Sequence, residues 1–256
     1  MDNEDVLITM QNDLKRALAK PASSRRWVML IDTRKCIGCH ACTAGCMAEN
    51  ALPPGVIYRP VFDSESGTYP DVKRTFVPRP CQHCDEPPCV PVCPTDGKAT
   101  WKSTTGISAG LVMIDPAQCI GCGNCVSACP YQARSLDEGQ YHAANAPVVP
   151  ELEKRPAEEY GVLRRRVDSQ LPIGTARKCH FCLHRLQTGR LPMCVTTCIG
   201  RATYFGDEKD PASLVAIVKK ASKVTTMRSV EDKTPITGHA TFGKSPTAPR
   251  VYYILG

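Results

Sequence analysis

Aromatic residues are scarce in this chain: 2 Trp, 5 Phe and 8 Tyr among 256 positions. Set beside 22 Pro and 18 Gly, that scarcity argues against a large conventional apolar core, so stability is expected from another source. No run of about 18 apolar residues occurs, and no segment is expected to span a membrane alone. A secretory signal is also missing, because the charged N-terminal stretch is not followed by an apolar one. Ser24-Arg25-Arg26-Trp27 superficially resembles a twin-arginine signal. The apolar residues 28–31 behind it are too few for that role and run into a cysteine motif, so they are expected to form a strand. Export would then depend on a partner carrying the signal. Nor is there a phosphate loop, a nucleophile–base arrangement or a recognisable substrate site. A non-catalytic protein with no direct small-molecule substrate is expected.

What the chain has instead is cysteine, sixteen in all, in four quartets with none left over. The first is Cys36, Cys39, Cys42 and Cys46, and the second Cys81, Cys84, Cys89 and Cys93. The third is Cys119, Cys122, Cys125 and Cys129, and the fourth Cys179, Cys182, Cys194 and Cys198. Four thiolates per quartet match the ligand demand of four 4Fe–4S cubanes, with iron held through the same sixteen cysteines. Eight disulfides suit secreted scaffolds much shorter than this one, and two-residue spacings point thiolates into one shared pocket. Zinc also takes CxxC pairs, but a C-x2-C-x2-C-x3-C run is unusual for it. A zinc-rich binding module is therefore the alternative of another class. Metal-binding free energy becomes folding free energy where the unfolded chain has no preformed site. An apo chain is expected to fold poorly.

The formal charge of +7 counts the thiols as neutral. An oxidised cubane with four thiolates nets about −2, so four contribute about −8 and the loaded protein is close to neutral. The basic excess is thus compensation for buried anionic cofactors, and no nucleic-acid partner is expected.

Along the chain, residues 4–20 have the spacing of an amphipathic helix, through Val6, Leu7, Met10, Leu14, Ala17 and Leu18. It is expected to cover part of the core, with a docking arm as the alternative. Residues 27–31 are expected to form a strand, followed by the first quartet and a short helix that ends at Ala51-Leu52-Pro53-Pro54-Gly55. Residues 56–62 and 72–77 are expected to pair across a turn at 63–67, and 99–102 with 111–114 around Thr105-Gly106. Residues 137–175, with four prolines, an acidic patch and Arg164-Arg165-Arg166, suggest a solvated surface excursion or a partner contact. Behind the fourth quartet, 202–205 suggest a strand, and Asp210-Pro211 a helix with Asp as cap and Pro at its first position. The apolar residues 251–255 suit a final strand or a tail buried in a partner.

The quartets repeat. CIGCHACTAGC and CIGCGNCVSAC share their spacing, and the segments before them, MLIDTRK and VMIDPAQ, are also alike. A C-x2-C-x2-C loop wraps three corners of a cubane, and Gly38, Gly121 and Gly123 let the backbone come close. Pro94 and Pro130 follow Cys93 and Cys129 as in ferredoxins, whereas Met47 and Ile199 follow Cys46 and Cys198. The second quartet widens the spacing before its third cysteine, and the fourth widens it to eleven residues.

On these strings, together with PCQHCDEPPCVPVCPT and KCHFCLHRLQTGRLPMCVTTC, the chain resembles the four-cluster iron–sulfur subunit of molybdopterin-dependent oxidoreductases of the dimethyl sulfoxide reductase type. It is most similar to the branch that includes tetrathionate, arsenate and polysulfide reductase beta subunits. The likeness spans residues 27–206 and extends through FGDEKDP to the VYYILG end. The excursion is longer than the family usually has there.

The resemblance implies an α+β fold of two ferredoxin-like domains with loop excursions. Residues 1–22 would be a helical arm, 23–75 with 176–256 one half, 76–136 the other, and 137–175 an inserted loop. It also implies cross-ligation: Cys36, Cys39, Cys42 and Cys198 for cluster 1, and Cys81, Cys84, Cys89 and Cys129 for cluster 2. Cys119, Cys122, Cys125 and Cys93 would hold cluster 3, and Cys179, Cys182, Cys194 and Cys46 cluster 4. The implied function is electron transfer between a molybdopterin catalytic subunit and a membrane quinone-binding or haem subunit in an anaerobic respiratory complex. Such a chain would be membrane-associated through its partner, on the cytoplasmic or periplasmic face. A free-standing polyferredoxin is the alternative.

Charged residues beside the motifs, Lys35, Lys178, Arg134, Arg185 and Arg201, would raise cluster potentials or else form ordinary ion pairs. His40, His83, His180 and His184 are expected to cap or face solvent, since cysteine supplies every corner. Phe181, Tyr131 and Trp101 are expected to exclude water from the clusters.

Overall fold

The computed structural model describes residues 5–167, 170–231 and 239–256. A five-stranded sheet is built almost entirely from the two ends of the chain. Its order is β10 (Thr203–Asp207), β1 (Trp27–Asp32), β13 (Val251–Ile254), β11 (Val224–Glu231) and β12 (His239–Phe242). β1 runs parallel to β13 and antiparallel to β10, with Met29 opposite Val251 on one side and Phe205 on the other. Every residue of β1 is buried, as suits an apolar run covered on both faces.

Helix α1 (Val6–Leu18) lies on this sheet and buries Met10, Leu14 and Ala17. The docking-arm alternative is not needed to account for its apolar face. Asp5 caps α1 by accepting from the Leu7 amide at 2.8 Å. Asp13, buried on the same helix, accepts from the Leu214 amide at 2.7 Å and so anchors the start of α6 (Leu214–Ala221). The cap of α6 is Ser213, not Asp210. Asp210 accepts from the Ala212 amide at 3.1 Å and makes a turn before the helix instead. Trp27 stacks on Phe205 with ring centroids 5.5 Å apart. A sheet-centred apolar core therefore exists despite the composition, and Cys46, Cys81, Cys84, Cys179 and Cys194 belong to it.

The remaining strands are short pairs. β2 (Val61–Thr68) and β3 (Asp71–Pro78) form a hairpin in which Thr68 faces Asp71, so the turn lies at Tyr69-Pro70. The expected turn residues 63–67 are inside β2, where the ladder continues through Glu65 and Arg74. β4 (Thr100–Lys102) pairs with β5 (Val112–Ile114), and β6 (Ser135–Leu136) with β9 (Ala176–Arg177). Between them β7 (Ala157–Glu159) pairs with β8 (Val162–Arg164). Short helices carry cysteines: α2 (Ala41–Glu49), α3 (Asn124–Ser127) and α5 (Met193–Thr196), while α4 (Leu183–Gln187) follows Cys182.

The excursion is pinned from inside. Asp137 is fully buried between Arg166 (2.7 Å) and Arg177 (3.0 Å), and Arg177 also pairs with buried Glu159 at 2.9 Å. Tyr58 donates to Glu159, and Arg177 donates to the carbonyl of Asn50 at the end of α2. Burial pushes the carboxyls of Asp137 and Glu159 up, but Arg166 and Arg177 at Asp137, and Arg177 foremost at Glu159, win and hold both below their ordinary values. The acidic patch and the arginine run thus supply an internal clamp rather than only a solvated surface. Among the described residues, no helix is long and apolar enough to cross a membrane.

Candidate iron–sulfur centres

The four CxxC loops share one backbone device. The residue just before the second cysteine has a left-handed conformation each time: Gly38 at φ 69°, His83 at 44°, Gly121 at 69° and Phe181 at 55°. Such a turn points successive amides into a concavity suited to an anion, as around iron–sulfur centres. Glycine adopts it freely, whereas a residue with a Cβ costs about 1–2 kcal/mol. His83 and Phe181 are held there by each other, with ring centroids 4.1 Å apart, and by burial. At Gly121 there is no room for anything larger, because a Cβ would lie 2.2 Å from the carbonyl oxygen of Gly174. Gly121→Ala is expected to open this loop, cost about 1–3 kcal/mol in strain and lower the iron content of the protein. Unchanged iron and thermal midpoint would contradict that.

The loops gather sulfurs across quartets. Cys93 lines one cavity together with Cys119, Cys122 and Cys125. A second cavity is lined by Cys81, Cys84, Cys89 and Cys129. Cys46, on α2, lies near Cys182, Cys179 and Cys194, and Cys36 near Cys42 and Cys198. Among the described residues, no three His, Cys, Asp or Glu side chains converge closely enough to hold a single ion. Two of the sets instead line cavities, as a multi-atom cofactor requires.

Backbone amides aim at these sulfurs. Ala202 donates to Cys198 at 3.1 Å and Ala133 to Cys129 at 3.4 Å, each from four residues on. Ala176 donates to Cys119 and Phe181 to Cys179, both at 3.4 Å. Amide donation stabilises negative charge on sulfur and so favours the reduced cluster. Without a metal, burial pushes the thiols of Cys84 and Cys179 up to about 12 and that of Cys89 to about 11. Iron is what would hold such buried groups as thiolates near neutral pH.

Buried cations complete the sites. Arg59, Arg79, Arg134 and Lys178 are each at most 4 % exposed. None has a carboxylate partner among the described residues. Arg59 stands near Cys194 and Cys42. Lys178 stands near Cys81, Cys179 and Cys89, and Arg79 near Cys129, Cys81 and Cys179. Arg134 lines both four-cysteine cavities and stands near Cys89, Cys125 and Cys81. Buried charge is tolerated only beside opposite charge, and here that charge comes from thiolates. Arg59 and Arg79 were missed in the sequence. The signal available was a repeated Arg-Pro pair at the two feet of the β2–β3 hairpin, Arg59-Pro60 and Arg79-Pro80, joined by a 2.9 Å backbone hydrogen bond.

The other charged, histidine and aromatic residues near the motifs divide. Arg185 pairs with Glu49 and Arg201 with Asp5, both at 3.2 Å, and Lys35 donates to the Tyr204 hydroxyl at 2.7 Å. These three make ordinary polar contacts. His184 bonds to Glu49, and His40 is exposed. His83 and His180 are buried, and their Nδ1 atoms accept from the amides of Val112 and Leu183. Tyr131 and Phe181 are buried near the cavities, while Trp101 is 37 % exposed and shields little.

Fold and sulfur geometry together define an iron–sulfur protein of the ferredoxin-like, mixed helix–sheet kind. Two family models, each described as a 4Fe–4S dicluster domain, match this chain, one over residues 72–148 and 163–208 and the other over 35–97. A selenate reductase subunit of Mesobacillus selenatarsenatis is 49% identical over 99% of this chain and 80% of its own length. The iron–sulfur subunit of the arsenate respiratory reductase of Shewanella sp. strain ANA-3 is 34% identical, over 88% of this chain and 94% of its own length. A tetrathionate reductase subunit of Salmonella typhimurium is 39% identical over 75% of this chain and 62% of its own length. The chain belongs to this family of reductase iron–sulfur subunits. It carries four 4Fe–4S clusters and serves electron transfer.

Proposed function

We propose that the sixteen cysteines hold the clusters in the cross-ligated sets expected from the sequence, and that the clusters form one series. The observation that carries this is the grouping of sulfurs across quartets. Cys93 stands with the third quartet, Cys129 with the second, Cys198 with the first and Cys46 with the fourth. Neighbouring sets also lie near one another. Cys194 lies near Cys42 and Cys198, Cys179 lies near Cys81, and Arg134 lines both remaining cavities. The order this supports is cluster 1, cluster 4, cluster 2, cluster 3.

The two ends of that order are the surface-facing ones. Cys39 of the first set and Cys122 of the third are exposed, whereas Cys81, Cys84, Cys179 and Cys182 are buried. Exposed isoleucines flank the same ends: Ile37 and Ile199 at one, Ile120 at the other. An apolar rim around a cluster excludes water when a partner docks, and electrons need one port at each end. One port would meet a molybdopterin-type catalytic subunit and the other a membrane quinone-binding or haem subunit, which would tether the chain to the membrane. The chain itself would be non-catalytic. Likeness to a selenate reductase subunit makes an oxyanion the first substrate class to assay for the complex.

The test is purification of the tagged chain from anaerobically grown cells of its own host. It is expected to co-elute with a large subunit containing molybdenum, and the complex to oxidise a quinol analogue when given selenate. Elution as a lone monomer, with no molybdenum in any fraction that contains it, would favour a free-standing ferredoxin.

A further inference from the structure

We propose that Arg59, the pair Lys178 and Arg79, and Arg134 are inter-cluster cations, each seated in the gap between two neighbouring clusters and setting the potentials of both. This rests on the ligand sets proposed above. In the order given there, every gap has its own buried cation. Arg59 stands between Cys42 of cluster 1 and Cys194 of cluster 4. Lys178 and Arg79 stand between Cys179 of cluster 4 and Cys81 of cluster 2. Arg134 stands between Cys89 of cluster 2 and Cys125 of cluster 3, and its side chain lines both cavities.

Their surroundings hold them in place without neutralising them. Arg134 donates from Nη2 to the Thr100 hydroxyl at 2.8 Å, and that hydroxyl donates in turn to the Met113 carbonyl at 2.8 Å. Nη1 of Arg134 is buried with no protein partner. Arg59 reaches the Thr203 hydroxyl at 2.8 Å and Met29 Sδ at 3.0 Å. The contrast within the molecule is Arg177, equally buried but paired with Asp137 and Glu159. Cations matched by carboxylates serve the excursion, and cations left unmatched occupy the gaps.

The consequence is physical. A cation between two anionic clusters favours an added electron on either of them, and in a low-dielectric interior its reach covers both. It also offsets the repulsion between electrons on adjacent clusters. Guanidinium keeps its charge under all working conditions. A cation beside only one cluster would tune that cluster alone.

The experiment uses the intact complex, purified anaerobically, with reduction followed by electron paramagnetic resonance at stepped potentials. Arg134→Gln is expected to disfavour reduction of two clusters by about tenfold or more, about 59 mV for one electron. The other two clusters should not move, and Arg134→Lys should restore most of the shift. Arg59→Gln is expected to move a different pair. With all iron retained, a shift in one cluster or in none overturns the proposal. Should Arg134→Gln lose iron, retention by Arg134→Lys supports a requirement for charge, and equal loss from both variants makes Arg134 a packing residue and overturns it. A wild-type complex with fewer than four clusters would instead refute the ligand sets themselves, so the two failures are distinguishable.

Discussion

Stripping iron from this protein with a chelator is expected to abolish its cooperative unfolding transition and its near-ultraviolet circular dichroism. Two physical reasons combine. First, the clusters are part of the core: Cys46, Cys81, Cys84, Cys179 and Cys194 pack with the sheet residues. Second, their removal leaves Arg59, Arg79, Arg134 and Lys178 buried beside sulfurs that burial drives toward the neutral thiol. Breaking one buried pair costs about 3–5 kcal/mol, so four such sites together are comparable to or larger than the roughly 5–15 kcal/mol by which a domain is stable. Some relief comes from water entering the emptied cavities, so residual structure is expected in the sheet built on β1, away from the cysteine loops. An apo chain that melts at the holo midpoint would show that the apolar core suffices without metal.

The second large effect is kinetic. Cys125→Ser removes a buried cysteine of the proposed third set, near the start of α3. The variant is expected to lose about a quarter of the iron, because the other three sets share no cysteine with this one. Quinol-driven turnover of the complex is expected to fall by at least about 10–100-fold, the loss typical of changing even an outer-shell partner of a metal site. Turnover driven by a small artificial donor that reaches the catalytic subunit directly should survive. A drop in iron with quinol-driven turnover intact would mean that electrons bypass this cluster, and the series arrangement would fail.

Much of the site was legible because its signal is local and redundant. Each quartet announces itself by spacing, and the repeat MLIDTRK–CIGC against VMIDPAQ–CIGC extends beyond the ligands. The helix at α1 and the pairing of β4 with β5 were legible for the same reason, being periodicity and turn chemistry within a short window. The five-stranded sheet was not. Its neighbours β1, β10 and β13 are far apart in sequence, and no local pattern states which strands pair. That is also why the low aromatic content misled: a few apolar strands from the chain ends concentrate what the composition dilutes. Charge was the other blind spot. Lys178 stood out because it adjoins Cys179 and Arg134 because it closely follows the third motif, whereas Arg59 and Arg79 are brought to the sulfurs by the hairpin between them. The acidic and basic runs of the excursion look solvated in one dimension, yet in three Arg166 and Arg177 close on Asp137 and Glu159 on Arg177.

The central claim, four cubanes on four sets of thiolates, is tested most directly by chemical analysis of the anaerobically purified complex. One iron and one acid-labile sulfide are predicted for each of the sixteen cysteines, with four distinct clusters resolved by paramagnetic resonance on stepwise reduction. Stoichiometric zinc with negligible iron and sulfide would contradict it.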